Sequence, residues 1–260
     1  MFKKIRIFIL LVILVIVGLS TWLTKIRNTS WEETLWVAVY PINADKNRTV
    51  SRYINKLTRN DFTDIERFFR DEASYFKLGI QEPMRIELQP EIESLPPRPP
   101  ESASVLDIML WSLKLRYWAW QNDNNNGPAA HVRIYVIYHD PAQHTRLAHS
   151  LGLEKGQIGV VNAFASRHYR AKNNVIITHE FLHTIGATDK YQLQTDLPVF
   201  PDGYAEPNSK PLYPQKMAEI MGGRIPLSET RAIIPSGLHK VVIGDKTAEE
   251  INWPRVNQLP

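Results

Sequence analysis

The sequence predicts an α+β domain, a mixed twisted sheet with one active-site helix, joined to a single N-terminal transmembrane helix. Three observations predict it. An unbroken apolar run from Ile7 to Leu19 follows Lys3, Lys4 and Arg6. From Thr34 onward, β-branched and aromatic stretches of period two alternate with stretches of helical period. Residues 179–191 read HEFLHTIGATDKY, with two His four apart on a helical segment. The 260 residues therefore divide into a membrane anchor or uncleaved signal, 1–27, and one domain, 28–260.

Composition narrows the function classes. The chain is 43% hydrophobic with seven Trp, ample for a core. It has no Cys, which excludes disulfides, thiolate metal sites and Cys nucleophiles. Its net charge of +4 comes from scattered basic residues, so no nucleic-acid partner is expected.

Ile5 to Leu23 would make about 28 Å of helix at 1.5 Å per residue, close to a bilayer core. Trp22 suits the far interface. A cleaved signal peptide shares the basic start, but no A-x-A-like site follows, and no Cys is available for lipidation. The charges before the run outnumber Lys25 and Arg27 after it, which favours a domain outside the cytoplasm, secreted if the segment is cleaved.

Thr34 to Ile42 reads as a strand with two covered faces. A short helix over Val50 to Leu57 and a longer one over Asp61 to Leu78 follow. The longer carries Ile65, Phe68, Phe69 and Phe76 as a stripe and ends at Gly79. Arg85 to Leu88 is a short strand, and the Pro-rich run 90–101 an extended loop. Ser104 to Trp120 is a helix, with Val105, Ile108, Met109, Leu113 and Trp120 among its apolar positions; Tyr117, Trp118 and Trp120 read as core or interface. Residues 121–130 form a loop, and His131 to Tyr138 alternate as a strand.

His144 and His149 fall in an expected helix; their spacing of five keeps them off one face, so structural or surface roles are expected. Gly156 to Ala165 is a strand, equally readable as an edge or as interior. A helix should start at Val175, capped by Asn173 or Asn174, with Val175, Ile176, Phe181 and Leu182 facing the core. Residues 195–214 form a Pro-rich loop along the lower wall of a cleft, where Asp196, Asp202 and Glu206 read as solvated charge rather than a calcium site. Lys240 to Ile243 is a strand, and Thr247 with Glu250 suits a capping box on a last short helix.

The chemistry sits in 179–191. His179 and His183 project from one helix face and can share one Zn²⁺. Glu180 is rotated about 100° off that face. It misses the metal but can reach a water beside it, as a general base must. Gly186 can take the left-handed conformation that ends a helix and turns the chain. The turn would return Asp189 as third ligand, leaving the fourth position open, the mark of a catalytic site. Glu219 is the competing third ligand.

HExxHxxGxxD, carried by His179, Glu180, His183, Gly186 and Asp189, resembles the metzincin clan of zinc metallopeptidases. The Asp form is similar to snapalysin-type and immune-inhibitor-A-type peptidases, and Tyr191 fits the latter's pattern. Met221 before Gly222 and Gly223 resembles the clan's Met-turn. The resemblance implies a zincin-like fold and a membrane-anchored zinc endopeptidase acting on a peptide or protein substrate, with Glu180 as base. Tyr191, Tyr204 or Tyr213 would stabilise the oxyanion. A membrane-tethered zinc domain that binds or senses without turnover, and a zinc amidase acting on cell-wall peptides, are the alternatives.

Overall fold

The computed structural model describes residues 29–100, 104–125 and 127–254, together with Arg6, Leu11 and Val12. The expected membrane helix over 1–27 thus falls, but for those three positions, outside the described residues. Among the described residues no helix is long and apolar enough to cross a membrane.

The alternation in the first strand carries directly into space. In β1 (Leu35–Asn43), Leu35, Val37 and Val39 enter one core, while Ala38, Tyr40 and Ile42 enter a second on the opposite face. Both faces are covered, as the sequence predicts. β2 (Met84–Leu88) and β3 (Val132–His139) flank β1, both parallel to it. Beyond β3 come β4 (Leu151–Leu153) and β5 (Ile158–Phe164); β5 pairs parallel with β3, and β4 pairs antiparallel with β5. The order β2-β1-β3-β5-β4 makes a mixed sheet, and the fold is α+β. The antiparallel edge strand is therefore β4, not the Gly156–Ala165 stretch, whose first half lies between two neighbours.

Helices cover both faces. α1 (Arg48–Ile54) and α2 (Thr63–Tyr75) pack on the first, with Ile65, Phe68, Phe69 and Phe76 buried as the stripe requires. α3 (Val105–Gln121) covers the second through Leu115, Ala119, Trp111 and Trp118. Apolar positions read from the sequence turn outward here: Val105 is 75% exposed and Trp120, read as core or interface, 73%. The helix is apolar on nearly every side, so its period could not choose a face. The choice falls to the sheet, where Tyr135 meets Trp118 edge-on at 4.7 Å.

Residues 140–150 form turns rather than the expected helix. Asp140 Oδ1 accepts the Ala142 N–H at 3.0 Å across Pro141, a local bond that competes with helix formation. That connection delivers β4 onto the last long helix, α4 (Arg170–Thr184). The contact is so close that a Cβ on Gly152 would stand 2.4 Å from the Glu180 carbonyl oxygen and 2.5 Å from His183 Cβ.

The C-terminal third is built from short pieces. β6 (Tyr191–Gln192) pairs with β7 (Leu197–Pro198), β8 (Ala218–Glu219) with β11 (Val241–Val242), and β9 (Ile225–Ser228) with β10 (Arg231–Ile233). α5 (Asp245–Glu250) follows. β11 and α5 match the expected strand and helix.

Candidate metal centre

α4 begins earlier than its sequence suggests. A 3₁₀ turn, Arg167–Tyr169, precedes it, and Ser166 Oγ accepts the His168 N–H there at 3.3 Å. Asn173 and Asn174 are not caps but buried side chains inside the helix. Asn173 exchanges two hydrogen bonds with the Phe164 backbone, at 2.9 and 3.3 Å, and Asn174 Nδ2 donates to the Asp61 carbonyl at 2.9 Å. These bonds fix the helix against the end of β5 and the turn before α2. Ile177, not Ile176, faces the core.

His179 and His183 stand one turn apart with ring centroids 4.8 Å apart. Each ring is oriented by a backbone carbonyl. His179 Nδ1 donates to Ile220 at 2.9 Å, and His183 Nδ1 donates to Ala187 at 2.8 Å. A neutral imidazole has one proton, so both Nε2 atoms then carry lone pairs. Those two nitrogens lie 3.1 Å from each other, and each lies 3.1 Å from Asp189 Oδ1. Three electron-rich atoms converge, and only protons or a cation between them relieves the repulsion. His179, His183 and Asp189 form a group that could hold a metal ion.

The turn that returns Asp189 is a Schellman motif. The Ala187 N–H reaches the Leu182 carbonyl at 3.0 Å, the Gly186 N–H reaches His183 at 3.3 Å, and Gly186 has φ +111°. Beyond it, Glu250 grips both neighbours of Asp189. Its carboxylate accepts the Thr188 N–H and hydroxyl at 2.9 and 2.8 Å and the Lys190 ammonium at 2.8 Å. Glu250 therefore does not complete a capping box with Thr247, whose hydroxyl donates to Glu219 at 2.6 Å.

Glu219 lies apart from the three converging atoms. It is fully buried and its carboxylate accepts the N–H groups of Gly222 and Gly244, at 2.7 and 3.1 Å, besides Thr247. It braces the tight turn of Ile220, Met221, Gly222 and Gly223, from which the Ile220 carbonyl reaches His179. Met221 is buried, and its carbonyl accepts the Lys190 N–H at 2.9 Å. Gly222 is needed for space, since a Cβ there would stand 2.4 Å from the Gly203 carbonyl oxygen.

Glu180 is buried beside the two rings, and its Oε2 has no hydrogen-bond partner. Burial raises its carboxyl pKa, against the lowering effect of His179 and His183. Asp189 moves the other way. Burial opposes its charge, but the two imidazoles outweigh it and hold the pKa well below the usual carboxylate range. Tyr191 lies 6.2 Å from the His179 ring, and burial, with Asp189 and Glu180 nearby, pushes its hydroxyl up to about 12. Tyr204 and Tyr213 instead hydrogen-bond each other at 2.8 Å. Asp196 pairs with Arg224 at 2.8 Å, and among the described residues neither it nor Asp202 nor Glu206 belongs to a group that could hold a metal ion.

Sequence reasoning missed the two orienting carbonyls and the Glu250 clamp. A backbone carbonyl leaves no mark in a sequence, and Glu250 is 60 positions from Lys190. His149, expected in a structural or surface role, is exposed on the β3–β4 connection, near enough to Glu180 to oppose the rise of its pKa. No protein-family model matches the chain, and no curated protein matches it.

Proposed function

We propose that this chain is a zinc-dependent endopeptidase of metzincin-like, zincin type, anchored to a membrane by residues 1–27 with its domain outside the cytoplasm. The observation that carries the reading is the convergence of His179 Nε2, His183 Nε2 and Asp189 Oδ1 at 3.1 Å, beside a Glu180 oxygen with no partner of its own. A metal site built only for binding has no need of that carboxylate.

The residues fit zinc. Ligand atoms of a tetrahedral zinc with bonds of about 2.0–2.1 Å stand about 3.3 Å apart, close to the sides of this triangle. Two neutral imidazoles and a carboxylate are an ordinary donor set for it, and three protein ligands leave one position open. Zinc bound there supplies a Lewis acid that acidifies water and polarises a carbonyl.

The chain's own groups do the rest. Glu180 Oε2 takes a proton from the attacking water and delivers it to the leaving nitrogen. The Ile220 and Ala187 carbonyls hold both imidazoles in the tautomer with a free Nε2. Of the three tyrosines, Tyr191 is the one assigned to developing charge: its ring lies 6.2 Å from that of His179, whereas the hydroxyls of Tyr204 and Tyr213 bond each other. An extended peptide has a docking edge in β4, the outer strand of the sheet, which lies against α4 at Glu180 and His183.

Metal analysis of the purified protein, combined with cleavage of a mixed peptide library, tests the reading. Zinc-dependent cleavage within peptide chains supports it. A protein that holds zinc yet cleaves no peptide sinks the enzymatic part. Protease accessibility of the domain in intact against opened cells tests the anchor and its orientation.

A further inference from the structure

A second cluster of metal-ligating side chains lies outside the site described above. Asp45 follows the end of β1, His139 is the last residue of β3, and His144 lies in the connection to β4. β1 and β3 are parallel and in register, Asn43 opposite Tyr138, so the chain brings these residues to one end of the sheet. We propose that Asp45, His139 and His144 form a second metal site, for a borderline divalent cation such as Zn²⁺.

The argument begins at Asn162. Its Nδ2 donates to the His149 carbonyl at 3.1 Å, which fixes the amide's orientation. Its Oδ1 then faces His139 Nε2 at 3.0 Å, and an amide oxygen only accepts. His139 Nε2 therefore carries the proton, and Nδ1 of the neutral ring carries the lone pair. That Nδ1 is buried with no hydrogen-bond partner. It faces Asp45 Oδ1 at 3.8 Å, too long for a hydrogen bond.

Asp45 is held for the same purpose. Its Oδ2 accepts the Asp140 N–H at 2.7 Å, which leaves Oδ1 directed between two rings. His144 Nε2 lies 2.9 Å from that oxygen. Burial opposes the charge on Asp45, but the Asp140 N–H and His144 together lower its pKa. The three ligand atoms all lie within 4.8 Å of one another. A tetrahedral metal wants about 3.3 Å. The difference is a modest swing of the His144 ring, which sits on a partly exposed turn.

A plain Asp–His ion pair accounts for His144 but not for His139. An ion pair would direct an Nδ1–H at Asp45 within hydrogen-bond length, and here the nitrogen stands off, buried and unsatisfied. In the metal-free protein the proton between His144 and Asp45 is the one a cation would displace. The set has two imidazoles, which selects zinc-like cations over calcium or magnesium.

The site has a structural consequence. Asn162, which orients His139, also holds the start of β4: its N–H donates to Ser150 Oγ at 3.0 Å, and its Nδ2 takes the His149 carbonyl. A cation on Asp45, His139 and His144 fastens the β3–β4 connection to the end of β1. It thereby fixes the edge strand that lies on α4.

The test is Zn²⁺ binding to the full chain by equilibrium dialysis with metal analysis. In protein carrying His179→Ala and His183→Ala, one equivalent of Zn²⁺ still binds. Adding Asp45→Asn, which keeps the Asp140 hydrogen bond, abolishes that equivalent, and His144→Ala weakens it at least tenfold. In the otherwise unaltered protein, D45N lowers retained zinc by one equivalent and H144A weakens binding of that equivalent at least tenfold, a result that does not depend on folding of the doubly altered chain. Zinc content that neither D45N nor H144A changes overturns the proposal.

Discussion

Lys190 and Glu250 form a partly buried ion pair, 2.8 Å between Nζ and Oε2, next to Asp189, whose carboxylate converges with the His179 and His183 rings. The Lys190 side chain is 5% exposed and that of Glu250 16%. The pair is not part of that convergence. It holds the two residues on either side of Asp189, and so sets where Asp189 can point.

Replacing Glu250 by Gln should therefore do two things. It leaves a buried ammonium without its counter-charge, at a cost of about 3–5 kcal/mol. It also loosens Asp189, with metal affinity falling about 10–100-fold, as when other supports of metal ligands are removed. Glu250 has a lowered pKa, because Lys190 and Thr188 outweigh its burial. Its contribution is present above the ordinary carboxylate value of 4.5 and is lost as pH falls through the lower folded value. Chemical denaturation across that range, with metal titration, reads both effects; equal acid sensitivity of E250Q and wild type counts against the clamp.

Glu72 runs in the opposite direction. Burial, with Asp71 and Glu219 nearby, pushes its pKa up to about 7, although it accepts the Ile243 N–H at 2.8 Å. A carboxyl raised in the folded state loses stability as pH rises from the unfolded value to the folded one. Glu72→Gln keeps the acceptor and removes the charge. It should stabilise the protein by about 1–3 kcal/mol above pH 7 and change little below pH 4.5. A stability difference that does not vary with pH would contradict this.

Gly186→Ala tests the turn. The φ of +111° is open to glycine and strained for alanine, at about 1–3 kcal/mol. The strain falls just before Ala187, which orients His183, and three residues before Asp189. Metal affinity should drop together with melting temperature, and a variant with unchanged affinity would show that the turn does not position the ligands.

The third ligand can be separated from its competitor. Asp189→Ala should lower zinc occupancy with little change in fold. Glu219→Gln should retain zinc but lose about 1–3 kcal/mol, since a buried acceptor of three hydrogen bonds is damaged. Metal content and denaturation midpoints of the two variants give the answer, and the reverse pattern would make Glu219 the ligand.

Local chemistry was legible, and long-range choices were not. The spacing of His179 and His183 fixes one helix face, and Gly186 marks the turn; both are properties of a few adjacent residues. The longer strands declare themselves by period two, so the cores on either side of β1 follow from its alternation, whereas β4 and β6 to β10, of two to four residues each, are too short to show a period. α3 gave no such signal, because its apolar residues run all round. Asn173 looked like a cap because nothing in its neighbourhood reveals Phe164 across the gap. His139, His144 and Asp45 belong together only once β1 and β3 lie side by side. The same is true of Glu250 and Lys190.

Glu180→Ala is the most direct test of the central claim, with hydrolysis and metal content measured on the same sample. The account predicts unchanged zinc, since Glu180 is not among the three converging atoms, and peptide hydrolysis reduced by at least about 10²–10⁴-fold. Zinc retained with hydrolysis at the wild-type rate would contradict it.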